Sequence, residues 1–221
     1  MSRSFQTAVI ATTLALPAGS VLGKTGRAIG SEQTLSIHLY DRAQVPTGVL
    51  HSATVEASRI FRAATIRITW ERPSVEAPRD QGIDMSDMRS VAPHLPDERP
   101  YLVVRLVRRV PATVFPSALG FALPLARSGA QVTIFYDRVE ESTRSVDTAS
   151  YVVLGHALAH EIGHVLLRSS EHASVGLMQA RWSPTSWRLA SAGLLAFCPE
   201  EAERMCAGLR RFRAPDPLPE H

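Results

Sequence analysis

The residues best suited to chemistry form the segment His160-Glu161-Ile162-Gly163-His164. Apolar residues recur around it at helical spacing over residues 148–167, so we expect the segment to be helical. Residues four apart lie on one face of a helix, and two imidazoles placed in this way can hold one zinc ion. Glu161 lies about 100° further round the helix, from where its carboxylate can reach a water beside the metal. A chain of this composition would hold roughly 0.02 such motifs by chance, so the pattern is specific.

A catalytic zinc site needs a third protein ligand and an open position for water. The candidates downstream are Glu171 and His172, and Gly176-Leu177-Met178 follows them. The residues alone leave both candidates open, and they also leave open a site with no third protein ligand. Two surface histidines that bind no metal are a further alternative, but the largely apolar run 152–167 argues against a solvent-facing helix.

At these residues the chain resembles the metzincin clan of zinc proteases. That clan carries a third His shortly beyond the second and a Met-containing turn beneath the metal. The resemblance covers about residues 33–212, and archaemetzincins and small bacterial metzincin-like proteins are similar in size and layout. It implies one catalytic Zn²⁺ held by His160, His164 and His172, with Met178 in the Met turn.

The turn after the second His departs from the pattern of the clan. Metzincins usually have a Gly three residues after that His and the third His three residues later, where this chain has Leu167 and Ser170. His172 comes two residues late, so we expect a wider turn through residues 168–170. Glu171 as a gluzincin-like third ligand is the alternative.

The resemblance implies a zinc-dependent metallopeptidase, an endopeptidase or an aminopeptidase, that hydrolyses peptide bonds. Zinc would lower the pKa of its bound water toward about 7, and Glu161 would act as general base and pass the proton to the leaving amine. In similar proteases an extended substrate pairs with the edge strand beside the cleft. Residues 118–123 are the candidate strand here, which makes these the expected substrate-binding residues: Gly120, Phe121, Ala122.

Two other functions fit the same residues. One is a zinc-binding protein with little or no hydrolytic activity, and the other is a zinc hydrolase that acts on a non-peptide amide. Glu161 argues against a purely structural site, which has no need of a carboxylate there. Trp182 either walls the pocket or packs in the core, and we expect His156 to be a packed histidine behind the ligands. Four further histidines have no partner that the sequence identifies: His38, His51, His94, His221.

The elements that must position these residues form an α+β fold. It has an α/β-like opening, because its first elements are a strand, a helix and a second, parallel strand. Its expected core is a mixed, mostly parallel five-stranded sheet, with an active-site helix, a Met turn and a C-terminal helix. Alternating or β-rich runs predict strands at residues 34–40, 66–70, 101–110, 118–123 and 131–137. Apolar residues at helical spacing and capping signals predict helices at residues 47–64, 148–167, 185–192 and 199–212, with Asp147 as the cap of the second. Residues 73–100, rich in Pro and Asp, predict a long loop.

The composition is that of a folded protein: 221 residues with a net charge of +3. Basic residues do not cluster, so nucleic acid is not an expected partner.

Residues 1–23 contain Arg3, an apolar run at 8–16 and a small-residue end, which predict a signal peptide. We therefore expect a secreted or periplasmic, cell-envelope protein without stable membrane insertion, although an uncleaved anchor or an ordered cytoplasmic N-terminus is an alternative. The expected organisation is one catalytic domain at residues 33–212, a disordered tail at 213–221, and a monomer that acts on a peptide or protein.

The two cysteines, Cys198 and Cys206, are eight residues apart in the predicted last helix. Eight helical residues span about 12 Å, beyond the roughly 7 Å that a disulfide allows between Cα atoms. Both are therefore expected to be structural thiols, with metal binding as the alternative.

Overall fold

A computed structural model describes residues 33–73, 101–108, 118–123 and 130–213 of the chain. The strands in these ranges are β1 (Gln33–Asp41), β2 (Ile66–Glu71), β3 (Tyr101–Val107), β4 (Gly120–Leu123) and β5 (Gln131–Phe135). The helices are α1 (Thr47–Ala63), α2 (Tyr136–Val146), α3 (Ser150–Leu167), α4 (Pro184–Ser191) and α5 (Pro199–Arg213).

The strands form one sheet in the order β2-β1-β3-β5-β4. β1 is parallel to β2 and to β3, and β3 is parallel to β5, whereas β4 runs antiparallel to β5 at the edge. Successive side chains of a strand point to opposite faces, and the alternate residues Leu35, Ile37 and Leu39 of β1 are buried in the core. The predicted fold class, a mostly parallel five-stranded sheet with helices, is confirmed.

Helix α3 lies in the middle of the protein. It packs along α1 and also contacts the sheet, α2 and α5, so every residue from Val152 to Leu166 is buried. Gly155 lets α1 approach closely, since a Cβ there would stand 3.0 Å from the Ala53 carbonyl oxygen. A helix that is apolar on all sides belongs in a core, and each large apolar side chain buried there contributes about 1.5–3 kcal/mol. The histidine motif therefore lies on a rigid, central element.

Helix α5 crosses the C-terminal end of α3 in backbone contact. A Cβ on Gly208 would overlap the carbonyl oxygen of Leu166, so only glycine permits this crossing. Cys198 and Cys206, before and on α5, are both free and half-buried, and the Cys206 thiol contacts the Ala64 carbonyl oxygen at 3.4 Å. The prediction of two unpaired thiols is confirmed.

The segment between β5 and α3 differs from its prediction. The strand predicted to end at residue 137 ends at Phe135, and α2, which the sequence did not predict, begins at Tyr136. Only Tyr136 and Val139 of α2 are buried, so its apolar stripe is too short to give a helical period. Asp147 is not the cap of α3: it ends α2 with left-handed backbone angles (φ 48°, ψ 47°), and α3 begins at Ser150.

Several predictions fall on residues outside the described ranges. These are the signal peptide, most of the long loop at 73–100 and the tail beyond residue 213, all of which stay predictions. None of the helices in the described ranges is both long enough and apolar enough to cross a membrane.

Candidate metal centre

Helix α3 places His160 and His164 one turn apart on the same face. Their Nε2 atoms lie 3.1 Å apart, and the residues are only 8% and 6% exposed. In a tetrahedral site with Zn–N bonds of about 2.0–2.1 Å, ligand nitrogens are about 3.3 Å apart. The spacing between the two imidazoles therefore suits a zinc ion.

The other ring nitrogens decide the tautomer of each histidine. His160 Nδ1 lies 2.9 Å from the Leu177 carbonyl oxygen, and His164 Nδ1 lies 2.8 Å from that of Ser169. A carbonyl only accepts, so each Nδ1 carries the hydrogen and donates it. Burial lowers the pKa of His160 to about 4 and also lowers the pKa of His164, so the rings are neutral and both Nε2 atoms are bare. Two lone pairs that face each other in a buried site repel one another, and a cation between them removes this repulsion. Neutral imidazole nitrogens are common ligands of zinc.

His172 completes a group of three. Its ring stacks on that of His160 with centroids 5.4 Å apart and meets that of His164 edge-on at 4.8 Å. Ligand atoms of the three residues all lie within 4.8 Å of one another, and Glu171 does not belong to this group. His172 is exposed, whereas the other two are buried. The structure thus brings the three predicted ligands together in a site compatible with zinc.

Glu161 follows His160 and lines the same cleft. It is 7% exposed, and burial raises the pKa of its carboxyl to about 8. The backbone of β4 passes beside it, since a Cβ on Gly120 would stand 3.1 Å from Glu161 Cγ. The predicted general base is therefore a desolvated carboxyl between the imidazoles and the edge strand.

The turn after α3 supplies one of the orienting carbonyls. Arg168 ends the helix with left-handed backbone angles (φ 51°, ψ 38°), and its N–H points back to the last turn of α3. Metzincins use glycine near this point, and this chain makes the turn with an arginine instead. The turn continues to Ser169, whose carbonyl holds His164.

Met178 lies in a closed turn against α3. Its carbonyl oxygen accepts a hydrogen bond from the Ala173 amide at 2.9 Å, and the residue is buried. Gly163, inside the histidine motif, makes room for it: a Cβ there would stand 2.8 Å from Met178 Sδ and 2.8 Å from Phe197 Cε1. The predicted Met-turn residue therefore packs against α3 at Gly163, the residue before His164.

The cleft over these residues has a volume of about 630 Å³. Its walls include β4, with the predicted substrate residues Gly120, Phe121 and Ala122, and also residues 179–182. β4 is the terminal strand of the sheet, and within the described ranges it pairs only with β5.

Some partners were not predicted from the sequence. The carbonyls of Leu177 and Ser169 orient the two buried imidazoles, but backbone groups leave no signal in side-chain types. His38, which had no predicted partner, pairs with Glu71 at 3.0 Å because the parallel register of β1 and β2 places them side by side. His156 is fully buried, as expected, with Nδ1 donating to the Val152 carbonyl at 2.8 Å.

No protein-family model matches the sequence, and a search of curated proteins gives no significant match. Solved structures do match. The zinc-dependent peptidase from Methanocorpusculum labreanum has 14% identity and a TM-score of 0.50, covering 76% of this chain and 99% of that one. Metalloproteinase-II from Bacteroides fragilis has 15% identity and a TM-score of 0.50, covering 80% of this chain and 53% of that one.

Archaemetzincin from Methanopyrus kandleri has 15% identity and a TM-score of 0.48, covering 83% of this chain and 98% of that one. At these identities the first two likenesses show the fold. The chain therefore has the fold of the Methanocorpusculum labreanum peptidase and of the Bacteroides fragilis metalloproteinase, and its three clustered histidines are compatible with a zinc ion.

Proposed function

We propose that this protein is a zinc-dependent peptidase of metzincin type. The observation that carries the proposal is the pair of buried imidazoles whose bare Nε2 atoms face each other 3.1 Å apart next to a buried carboxyl. Buried polar atoms without a bonding partner destabilise a core, and a divalent cation would provide that partner for the two Nε2 atoms. The fold supports the same function.

The ligands of the zinc ion are His160, His164 and His172. Zinc, when bound, supplies Lewis-acid chemistry, which makes a water more acidic and polarises the carbonyl of the scissile bond. The carbonyls of Leu177 and Ser169 fix the orientation of the two buried rings by accepting from their Nδ1–H groups.

Glu161 acts as the general base and then as the general acid. Burial raises the pKa of this carboxyl in the metal-free protein, and a cation in the site would favour its ionised form. The carboxylate oxygen then accepts a proton from the attacking water and delivers that proton to the amine that leaves. Burial beside β4 keeps bulk water away from this carboxyl, so the proton stays in the site. No side chain has to form a covalent bond to the substrate.

The substrate is a peptide that lies along β4. Its backbone pairs with β4 at the edge of the sheet, at Gly120, Phe121 and Ala122, which places the scissile bond over the imidazoles. Backbone pairing contributes affinity that depends little on the sequence of the substrate.

The test is a digest of a peptide library by the zinc-loaded protein, read by mass spectrometry. Glu161→Gln keeps the shape of the side chain and removes the base, so we expect a loss of cleavage of about 10²–10⁴-fold. The matched control is Glu171→Gln, which changes an exposed carboxylate outside the histidine group and should leave cleavage unchanged. A chelator should abolish cleavage, and added zinc should restore it.

Absence of cleavage by a folded, zinc-loaded sample would overturn the peptidase. It would leave the two alternatives that the sequence raised, a zinc-binding protein without hydrolytic activity and a hydrolase of non-peptide amides. A screen of simple amide substrates separates them.

A further inference from the structure

The Leu177 carbonyl oxygen accepts two hydrogen bonds. One comes from Nδ1 of His160 and the other from Nε1 of Trp182, both at 2.9 Å. A carbonyl oxygen has two lone pairs, so the indole and the imidazole satisfy it together. The indole N–H of Trp182 and the proposed metal ligand His160 therefore share one hydrogen-bond acceptor, the Leu177 carbonyl oxygen.

Leu177 is held from its amide side as well. Its N–H donates to the Ala196 carbonyl at 3.0 Å, and its side chain is fully buried. With the amide held, the second donor on its carbonyl fixes the direction in which that carbonyl points. The loss of the indole donor would leave a buried lone pair unsatisfied and free the carbonyl to turn toward another donor.

The indole ring also packs against the histidines of α3. Its plane is nearly perpendicular to that of His160 (88°, centroids 5.6 Å apart) and to that of His156 (83°, 6.2 Å). Trp187 of α4 meets the same indole edge-on at 5.0 Å. These neighbours set the orientation of Trp182 before any metal binds.

We infer that Trp182 is a positioning residue for His160, acting through the Leu177 carbonyl to hold the imidazole in its Nδ1–H tautomer with Nε2 aimed at the metal. The inference rests on the proposed metal site. It gives Trp182 a role beyond a wall of the cleft or a filler of the core.

Trp187 provides the matched comparison, because it is the neighbouring indole and makes no hydrogen bond through Nε1 to any described residue. It is also the more buried of the two, so its removal should disturb packing at least as much. A purely structural role for Trp182 therefore predicts similar effects of Trp182→Phe and Trp187→Phe. A positioning role predicts that only Trp182→Phe alters the site.

The experiment measures three quantities for each variant without using activity. They are the melting temperature of the metal-free protein, the tautomer of the His160 ring from ¹⁵N NMR of the metal-free protein, and the zinc dissociation constant from competition with a chelator. For Trp182→Phe we expect a mixture of tautomers and zinc binding weakened about tenfold. For Trp187→Phe we expect one tautomer and zinc affinity within about threefold of the unsubstituted protein.

A second substitution removes only the N–H. Replacement of Trp182 by 3-benzothienylalanine, in which sulfur takes the place of the ring nitrogen, keeps the shape of the indole and should reproduce the effect of Trp182→Phe. An unchanged tautomer and unchanged zinc affinity in this variant would overturn the inference, as would equal effects of the two Phe substitutions. If the unsubstituted protein binds no zinc, both the inference and the proposed function fail. If it binds zinc, responds as expected and cleaves no peptide, only the peptidase fails.

Discussion

The backbone of Gly120 lies against the side chain of Glu161, so that a Cβ added to the glycine would stand 3.1 Å from Glu161 Cγ. The same Cβ would stand 2.6 Å from the Thr133 carbonyl oxygen on the neighbouring strand. A side chain at this position would therefore push the edge strand away both from the sheet and from the carboxyl. The glycine lets the edge strand β4 and the proposed general base lie in direct contact.

Gly120→Ala should accordingly impair both stability and cleavage. We expect a loss of about 1–3 kcal/mol in the free energy of unfolding, because the atom that the new methyl meets is backbone and cannot rotate away. Urea denaturation and the peptide digest measure the two effects. The control is Gly48→Ala, near the start of α1, where a Cβ meets nothing within 4 Å. Loss of a flexible residue in a helix should stabilise that variant by about 0.5–1 kcal/mol. Equal effects of the two substitutions would contradict the crowding argument.

His172→Ala tests the third ligand. Because the ring is exposed, we expect the metal-free protein to keep its stability while its zinc affinity falls by at least about 100-fold. His164→Ala should lower both, since it also leaves the Ser169 carbonyl without its donor. Zinc affinity is measured by competition with a chelator, and Glu171→Ala serves as control. If Glu171→Ala weakens zinc binding and His172→Ala leaves zinc affinity unchanged, Glu171 is the third ligand.

Arg168→Gly should stabilise the protein. An L-residue in the left-handed region costs about 1–2 kcal/mol, and glycine removes that cost while it adds entropy to the unfolded chain. For Arg168, at φ 51° and ψ 38°, we expect a net gain of about 0.5–1 kcal/mol in urea denaturation. Asp147, at φ 48° and ψ 47°, is the comparison. Aspartate tolerates this region better than arginine, so Asp147→Gly should gain less. A larger gain at Asp147 would contradict this ranking.

The histidine motif could be predicted because its geometry is local: residues four apart on a helix meet whatever the rest of the fold does. His172 could be placed in the same site because the metzincin resemblance supplied a distant position. The Leu177 carbonyl could not be predicted, since every residue has a carbonyl and only the tertiary turn aims this one at His160. The pair His38–Glu71 depends on the register between two strands, which an isolated sequence leaves open.

His156 should make stability depend on pH. Burial lowers the pKa of His156, while Glu56, with an oxygen 3.9 Å from Nε2, and Arg59 beside that carboxylate are the nearest charged groups. As the pH falls below about 6.5, the unfolded chain binds a proton at this histidine and the folded chain does not. The free energy of unfolding therefore decreases as the pH decreases. One such histidine contributes at most about 1.4 kcal/mol per pH unit.

The measurement is urea denaturation of the metal-free protein between pH 6.5 and pH 5, with His156→Phe beside the unsubstituted chain. The two buried histidines of the candidate metal site contribute to both proteins, so the difference in slope belongs to His156. Hydrogen bonds from Arg59 lower the pKa of Glu56, so the stability that this carboxylate contributes is lost only below about pH 4.5 and lies outside the window. His51→Phe, which changes an exposed histidine on α1, is the control for replacing an imidazole with a phenyl ring. Identical slopes for His156→Phe and the unsubstituted chain would show that His156 takes up its proton in the folded state.

The contact between Gly163 and Met178 predicts coupled substitutions. Gly163→Ala brings a methyl to 2.8 Å from Met178 Sδ, so we expect a loss of about 1–3 kcal/mol in the free energy of unfolding, together with weaker zinc binding at the adjacent imidazole. Met178→Ala leaves a cavity and should cost about 2–5 kcal/mol.

The double variant should lose less than the two losses added together, by about 0.5–3 kcal/mol, because the new methyl then occupies space that the sulfur vacated. Rescue stays partial, since Phe197 Cε1 would still lie 2.8 Å from the new methyl and a packed ring cannot move aside as a thioether can. The four proteins of this cycle are compared by urea denaturation and by zinc competition. Additive losses would contradict the predicted crowding between the methyl at position 163 and Met178.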